Sequence, residues 1–258
     1  MSEPLAALPM PLAALPMYDW PECRDETDAL WRVIRDGLRA RGVAAPDALT
    51  RGGDVQAIWR DPDLLLAQTC WGPLEAGLAN DVQVLAQPDY SAFEGGAGPL
   101  YSSAIVMRRD AAGGAMSVRS PEDGMARLPL DRMRGMRFAF NDPVSRSGYL
   151  GLIQDLREAG EGIDLFSQCL EAGGHRQSLQ AVRDGRADLC AVDCRSWALA
   201  QRFEPGMDLL LVAGWTARRP GLPYITSLAT DAQTRAALRA VLAEASCKVN
   251  DGGDRLAP

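Results

Sequence analysis

Short apolar runs bounded by turn residues alternate along this chain with segments whose apolar positions recur every three to four residues. Residues 12–17 read as a strand stopped at Pro21. Residues 25–41 read as a helix with the stripe Leu30, Trp31, Ile34 and Leu38, ended by Gly42. The unbroken run 64–69 has the length and composition of a strand buried on both faces. A short helix is expected over 75–78 and a strand over 82–86. The glycine-rich stretch 94–99 reads as a loop, 103–107 as a strand and 111–114 as a turn, and 130–135 leads into a strand at Phe138. The second half alternates more plainly, with helices over 149–159, 175–184 and 197–202, strands over 189–192 and 209–213, and a last helix over 230–245. Such alternation implies an α/β fold on parallel sheets.

One stretch carries chemistry as well as structure: Arg137-Phe138-Ala139-Phe140-Asn141-Asp142-Pro143-Val144-Ser145-Arg146-Ser147-Gly148-Tyr149. It reads as strand, tight loop and helix start. The first N–H groups of a helix lack carbonyl partners and sit at the positive end of the macrodipole. Ser145, Ser147 and the backbone through Gly148 can therefore hold an oxyanion, with Gly148 allowing close approach. The same serines read also as plain helix caps.

Further along come Gly173-Gly174-His175-Arg176-Gln177-Ser178-Leu179-Gln180-Ala181-Val182 and Gly185-Arg186-Ala187-Asp188-Leu189-Cys190-Ala191-Val192-Asp193. The segments 195–205, 220–227, 15–19 and 101–106 extend the same order and spacing. Together they resemble the PhnD-like phosphate/phosphite/phosphonate-binding proteins of ABC importers, over most of the chain from about Ala13 to about Glu244. The resemblance implies a two-lobe type 2 periplasmic-binding-protein fold, mainly parallel sheets with an interlobe cleft. Crossings are placed near Val106 and Val212, giving a first lobe over 1–105, a second over 106–212 and a return to the first over 213–258. The tail 246–258, polar and glycine-containing, departs from the family.

Net charge is −7 and the isoelectric point about 4.9, which argues against a partner held through nucleic-acid phosphates. A local nest of donors outweighs distant surface charge, so a small anion stays compatible. No run of some 20 apolar residues exists to insert in a membrane. Pro4-Leu5-Ala6-Ala7-Leu8-Pro9-Met10 repeats as Pro11-Leu12-Ala13-Ala14-Leu15-Pro16-Met17, without a basic residue before Arg24 and with prolines breaking the apolar run. This predicts no signal peptide and a cytoplasmic protein as encoded, periplasmic if the true N-terminus carries an export signal. Six cysteines, at 23, 70, 169, 190, 194 and 247, form no dense disulfide framework. A zinc reading on Cys169, His175, Cys190 and Cys194 matches no strong ligand spacing, and no metal or cofactor is expected.

The candidate ligand-binding set is Ser145, Arg146, Ser147, Gly148, His175, Asp193, Tyr101, Tyr18, Thr69 and Cys70. Arg146 either clamps the anion or points to solvent. His175, the only histidine, caps or packs at a helix start, or gives a ring N–H to the oxyanion, as the matching family position implies. Asp193 ends a strand and reads evenly as a helix cap, a partner for Arg195 or, by resemblance, an acceptor for a ligand amine. The resemblance makes Tyr101 a ligand-binding tyrosine, with Tyr18 a second candidate. Thr69 and Cys70 end a strand that should face the cleft. Trp71 and Trp215 read equally as core or cleft wall. Ser145, His175 and Asp193 supply a nucleophile, base and orienter in name, but there is no Gly-X-Ser-X-Gly elbow, phosphate loop or dinucleotide fingerprint. The expected function is capture of a phosphorus oxyanion with hinge closure for ABC-type uptake, with an ABC permease as partner. A cytosolic sensor or scavenger and an enzyme on the same fold are the alternatives.

Overall fold

A computed structural model describes residues 11–110 and 116–251. The repeat copy at 4–10, the turn expected at 111–114 and the residues from 252 onward lie outside them. Contacts among the described residues divide the chain into two units. One gathers residues 11–69, 77–86 and 222–251, the other residues 70–76, 87–110 and 116–221. Val106 and Val212 face each other on paired strands inside the second unit, and the chain changes unit at 69/70, 76/77, 86/87 and 221/222.

The first unit holds a sheet in the order Leu12–Ala14, Leu64–Gln68, Tyr224–Ser227, Val82–Ala86. All five residues of Leu64–Gln68 are buried, the four apolar ones as a strand covered on both faces requires and Gln68 with its amide donating to the Leu222 carbonyl at 3.1 Å. Helix Arg24–Arg39 lays Trp31, Ile34 and Leu38 into a core with Leu65, Leu66, Leu238 and Leu242. A Cβ at Gly37 would come 3.0 Å from Val241, so helix Ala232–Asp251 packs closely there. That helix continues beyond Ser246, where a polar tail was expected. The Ser246 hydroxyl bonds the Leu242 carbonyl at 2.9 Å, so a polar residue is accommodated within the helix.

The second unit holds a five-stranded sheet in the order Leu210–Trp215, Ser103–Arg108, Leu189–Asp193, Arg137–Phe140, Gln168–Glu171. The last three run parallel, and Ser103–Arg108 is antiparallel to both its neighbours. The sheets are thus mixed rather than mainly parallel. Ser103–Arg108 and Tyr224–Ser227 each follow a two-residue strand, Leu100–Tyr101 and Arg219–Pro220, so no helical crossover forces them parallel. Phe138, Phe140, Leu152, Leu156, Leu165 and Phe166 fill the core against Ile105, Leu189 and Leu211.

The helix expected at 75–78 lies earlier, at Trp71–Glu75, and Gly77 at φ +116 ends it, followed by a short 3₁₀ turn, Leu78–Asn80. Pro73 is tolerated because it falls in the first turn.

Candidate functional site

Three parallel strands of the second unit each deliver a helix start to one edge of the sheet. Arg137–Phe140 leads to Arg146–Leu150, Gln168–Glu171 to helix His175–Arg183, and Leu189–Asp193 directly to helix Cys194–Phe203. The chain visits the strands in that order, yet Arg137–Phe140 lies between the other two. The order therefore reverses at this strand, and open α/β sheets bind ligands beyond the carboxyl ends at such a point.

Asp142 shapes the loop, its Oδ1 accepting from Val144 N at 2.7 Å and its carbonyl from Ser145 N at 3.0 Å. Ser145 then opens a π-helical turn, its carbonyl accepting from Tyr149 N (3.2 Å) and Leu150 N (2.9 Å). Widened turns of this kind recur at functional sites. Ser147 Oγ stands 2.8 Å from His175 Nε2 and 3.4 Å from Ser145 Oγ, and it lies near enough to the Tyr101 phenol to act on its pKa. Asp193 Oδ2 lies 3.4 Å from the same His175 nitrogen. Tyr101 reaches this corner because Ser103, two residues on, pairs with Asp193 across the sheet. Gly148 is dictated by crowding, since a Cβ there would sit 1.8 Å from Asn141 Oδ1 and 3.1 Å from His175 Cε1.

Burial lowers the pKa of the His175 imidazole against the opposing pull of Asp193, leaving the ring neutral at pH 7. Burial pushes the Tyr101 phenol well above its ordinary value, helped by the acids Cys70, Asp193 and Tyr90 and opposed by Ser147, so it remains a donor. Burial also raises the Cys70 thiol, against hydrogen bonds from the backbone of Gly72, Arg146, Ser147 and Trp71.

Those bonds alter the expected site. The N–H groups expected to hold an anion are taken up by the protein itself. Arg146 N donates to Cys70 Sγ at 3.4 Å, Ser147 N bonds the same sulfur, and Gly148 N donates to Ser145 Oγ at 3.1 Å. Ser145 is thus a cap, as the plainer reading had it, and Cys70 is an acceptor for helix-start amides. The Arg146 guanidinium pairs with Glu75 and reaches Gln154 at 3.4 Å, neither clamping the serines nor lying free in solvent. Asp193 caps its helix, accepting from Ser196 N at 2.9 Å and Ser196 Oγ at 2.6 Å. The donors gathered at the corner are Ser147, Tyr101 and His175. Thr69 and Tyr18 belong to the first unit, both buried, and Thr69 Oγ1 has no partner among the described residues. Trp215 is core, with its indole N–H donating to the Val118 carbonyl at 2.8 Å, whereas Trp71 is half-buried and donates to the Gly221 carbonyl.

Sequence reasoning passed over Asn141, whose buried Oδ1 lies against Gly148 without a hydrogen-bond partner, and Ser196, which holds Asp193. Asn141 was legible only as a turn former. Ser196, three residues after Asp193, had the spacing of a capped helix start. Among the described residues, no group of three His, Cys, Asp or Glu is placed to hold a metal, and no helix is long and apolar enough to cross a membrane.

A family model described as ABC transporter, phosphonate, periplasmic substrate-binding protein matches residues 71–253. Among solved structures, PhnD1 from Prochlorococcus marinus in complex with methylphosphonate superposes with a TM-score of 0.64 at 18% identity, over 92% of this chain and 83% of that one. A binding protein component of an ABC phosphonate transporter from Pseudomonas aeruginosa gives 0.62 at 17% identity, over 90% and 74%. The GluR0 ligand-binding core from Nostoc punctiforme, in complex with L-glutamate, gives 0.55 at 16% identity, over 96% and 97%. No curated protein matches. At these identities the structures show the type 2 periplasmic-binding-protein fold. The family match covers most of the sequence, and the chain belongs to the phosphonate-type, PhnD-like family of ABC-transporter periplasmic substrate-binding proteins.

Proposed function

We propose that this protein captures a phosphate, phosphite or phosphonate on Ser147, Tyr101 and His175, and presents it to an ABC permease. The observation that carries the reading is the 2.8 Å contact of Ser147 Oγ with the His175 ring at the carboxyl edge of the parallel strands, beside the buried Tyr101 phenol. A tetrahedral oxyanion needs several convergent donors, and a hydroxyl, a phenol and an imidazole supply them. The methylphosphonate held by the Prochlorococcus relative supports this ligand class. Tyr18 and Thr69 are proposed contacts on the resemblance alone. Membership of the family supports a periplasmic location, which cell fractionation tests.

The corner is read as a binding site rather than a catalytic one. In a serine-type triad the carboxylate holds the imidazole nitrogen remote from the nucleophile. Here Ser147 and Asp193 share Nε2, while Nδ1 has no partner among the described residues. The test is thermal unfolding against phosphate, phosphite, methylphosphonate, 2-aminoethylphosphonate and sulfate at matched ionic strength. Stabilisation by a phosphorus oxyanion supports the reading, and silence across the panel contradicts it.

A further inference from the structure

Residues 70–76 belong with the second unit, although the chain on either side of them belongs to the first. Three points fix them to the loop and turn that carry Ser147. The Cys70 sulfur accepts from Arg146 N at 3.4 Å, and the backbone N–H groups of Trp71, Gly72 and Ser147 act on the same thiol. Gly72 presses against the loop, since a Cβ there would sit 1.6 Å from the Val144 carbonyl oxygen and 3.3 Å from Leu150 Cδ1. Only glycine allows that approach. Glu75 then pairs with the Arg146 guanidinium. The turn is thus held from outside its own hydrogen-bond pattern, by a strap whose sulfur bonds the amide just before the residue proposed to meet the ligand.

Resting on the proposed oxyanion reading, we propose that Cys70 is a positioning residue of that site: its sulfur, by accepting at the first amides of the turn, holds Ser147 where its hydroxyl meets His175 and the ligand. Cys70 and Ser147 are both buried. A buried amide that loses its acceptor carries a cost large enough to make a turn rearrange. Ser147 would move with it, and a displacement of about 1 Å is enough to loosen a binding site. A thiol suits the place. Sulfur is a weak acceptor, but burial keeps this thiol protonated, so it carries no charge against an incoming oxyanion. A carboxylate would hold the amides more firmly and repel the ligand.

The experiment is ¹⁵N-imidazole NMR and calorimetric titration of methylphosphonate on the wild type, Cys70→Ala, Cys70→Ser, Ser147→Ala and the Cys70→Ala/Ser147→Ala double variant. The chain has one histidine, so its ring signals need no assignment, and they report the Ser147 contact in the empty protein. Cys70→Ala is expected to shift the ring signals before ligand is added and to weaken binding about tenfold, a size typical of coupled neighbours. Cys70→Ser, which keeps an acceptor, should recover most of both. In the Ser147→Ala background, Cys70→Ala should have no further effect on affinity. Should Cys70→Ala not fold, amide hydrogen exchange on the wild type decides: protected Arg146 and Ser147 N–H groups support the role, and exchange as fast as in an open chain overturns it. Four results overturn the positioning role and spare the binding reading: unmoved ring signals with wild-type affinity, losses that add to those of Ser147→Ala, equal losses in the alanine and serine variants, or tighter binding in Cys70→Ala, as of a sulfur that blocks amides the ligand could use. No binding of any phosphorus oxyanion by the wild type overturns the binding reading and the role built on it, while the ring signals still show whether Cys70 places Ser147.

Discussion

Ser147 Oγ lies 2.8 Å from Nε2 of His175, joining two helix starts that follow different strands of one sheet. Ser147 also acts on the Tyr101 phenol, so it stands next to both of the other proposed donors.

Ser147→Ala is therefore expected to weaken oxyanion binding by about 10- to 100-fold, the range set by losing a hydrogen bond to a charged group, about 1.5–3 kcal/mol. Calorimetry or ligand-induced thermal shift measures it. Ser145→Ala acts differently, since Ser145 Oγ accepts from Gly148 N as a cap. The expected cost is about 1 kcal/mol of stability, read from denaturant unfolding, with a smaller effect on affinity.

Gly148→Ala places a methyl 1.8 Å from Asn141 Oδ1. A loss of about 1–3 kcal/mol is expected from the forced shift. Because the obstacle is a side-chain tip, Asn141→Ala combined with Gly148→Ala should recover part of that loss. A double-mutant cycle by denaturant unfolding checks it, and additive costs would place the strain in the backbone instead.

The empty protein should lose stability as pH falls below about 6.5, the ordinary histidine value. Burial depresses the folded-state pKa of His175, so across that window the unfolded chain binds the proton and the folded one does not. His175→Gln should flatten this part of the stability profile. A second loss is expected below the ordinary carboxylate range. Burial raises the Glu204 pKa, but hydrogen bonds from Gln180, Arg176 and Arg183 outweigh it and hold the group below 4.5. That stabilisation is present above 4.5 and is lost as pH falls through the lowered folded value. Urea unfolding at successive pH values reads both.

Glu204 gathers Arg176 (2.5 Å), Arg183 (2.8 Å) and Gln180 (3.0 Å), three side chains on one helix beginning at His175. Glu204→Ala leaves two guanidinium groups without their buried carboxylate and is expected to cost about 3 kcal/mol, seen as a lower Tm.

Periodicity made most of this fold legible. The stripe Trp31, Ile34, Leu38 and the runs at 64, 137 and 189 lead directly to buried elements. Gln168–Glu171 escaped because a largely exposed edge strand of Gln, Cys, Leu and Glu carries no apolar run. Tyr224–Ser227 escaped because four residues after Pro-Gly-Leu-Pro are too few to show a period. At the site, residue types and spacing brought out Ser147, and the family resemblance brought out Tyr101 and the ligand-binding reading of His175; the structure gathers the three residues. Hydrogen-bond occupancy stayed hidden. Whether an amide at a helix start is free for a ligand depends on what packs against it, and Cys70 and the Ser145 side chain fill those places here.

The most direct test of the account is calorimetric titration of methylphosphonate into the wild type and into Ser147→Ala and His175→Gln, each first shown to be folded by circular dichroism. The account predicts saturable one-to-one binding to the wild type, equivalent to about 2.7 kcal/mol of added stability at 100 times the dissociation constant, and binding weakened at least tenfold in both variants. Wild-type affinity retained by both would show that the Ser147–His175 corner is not the site.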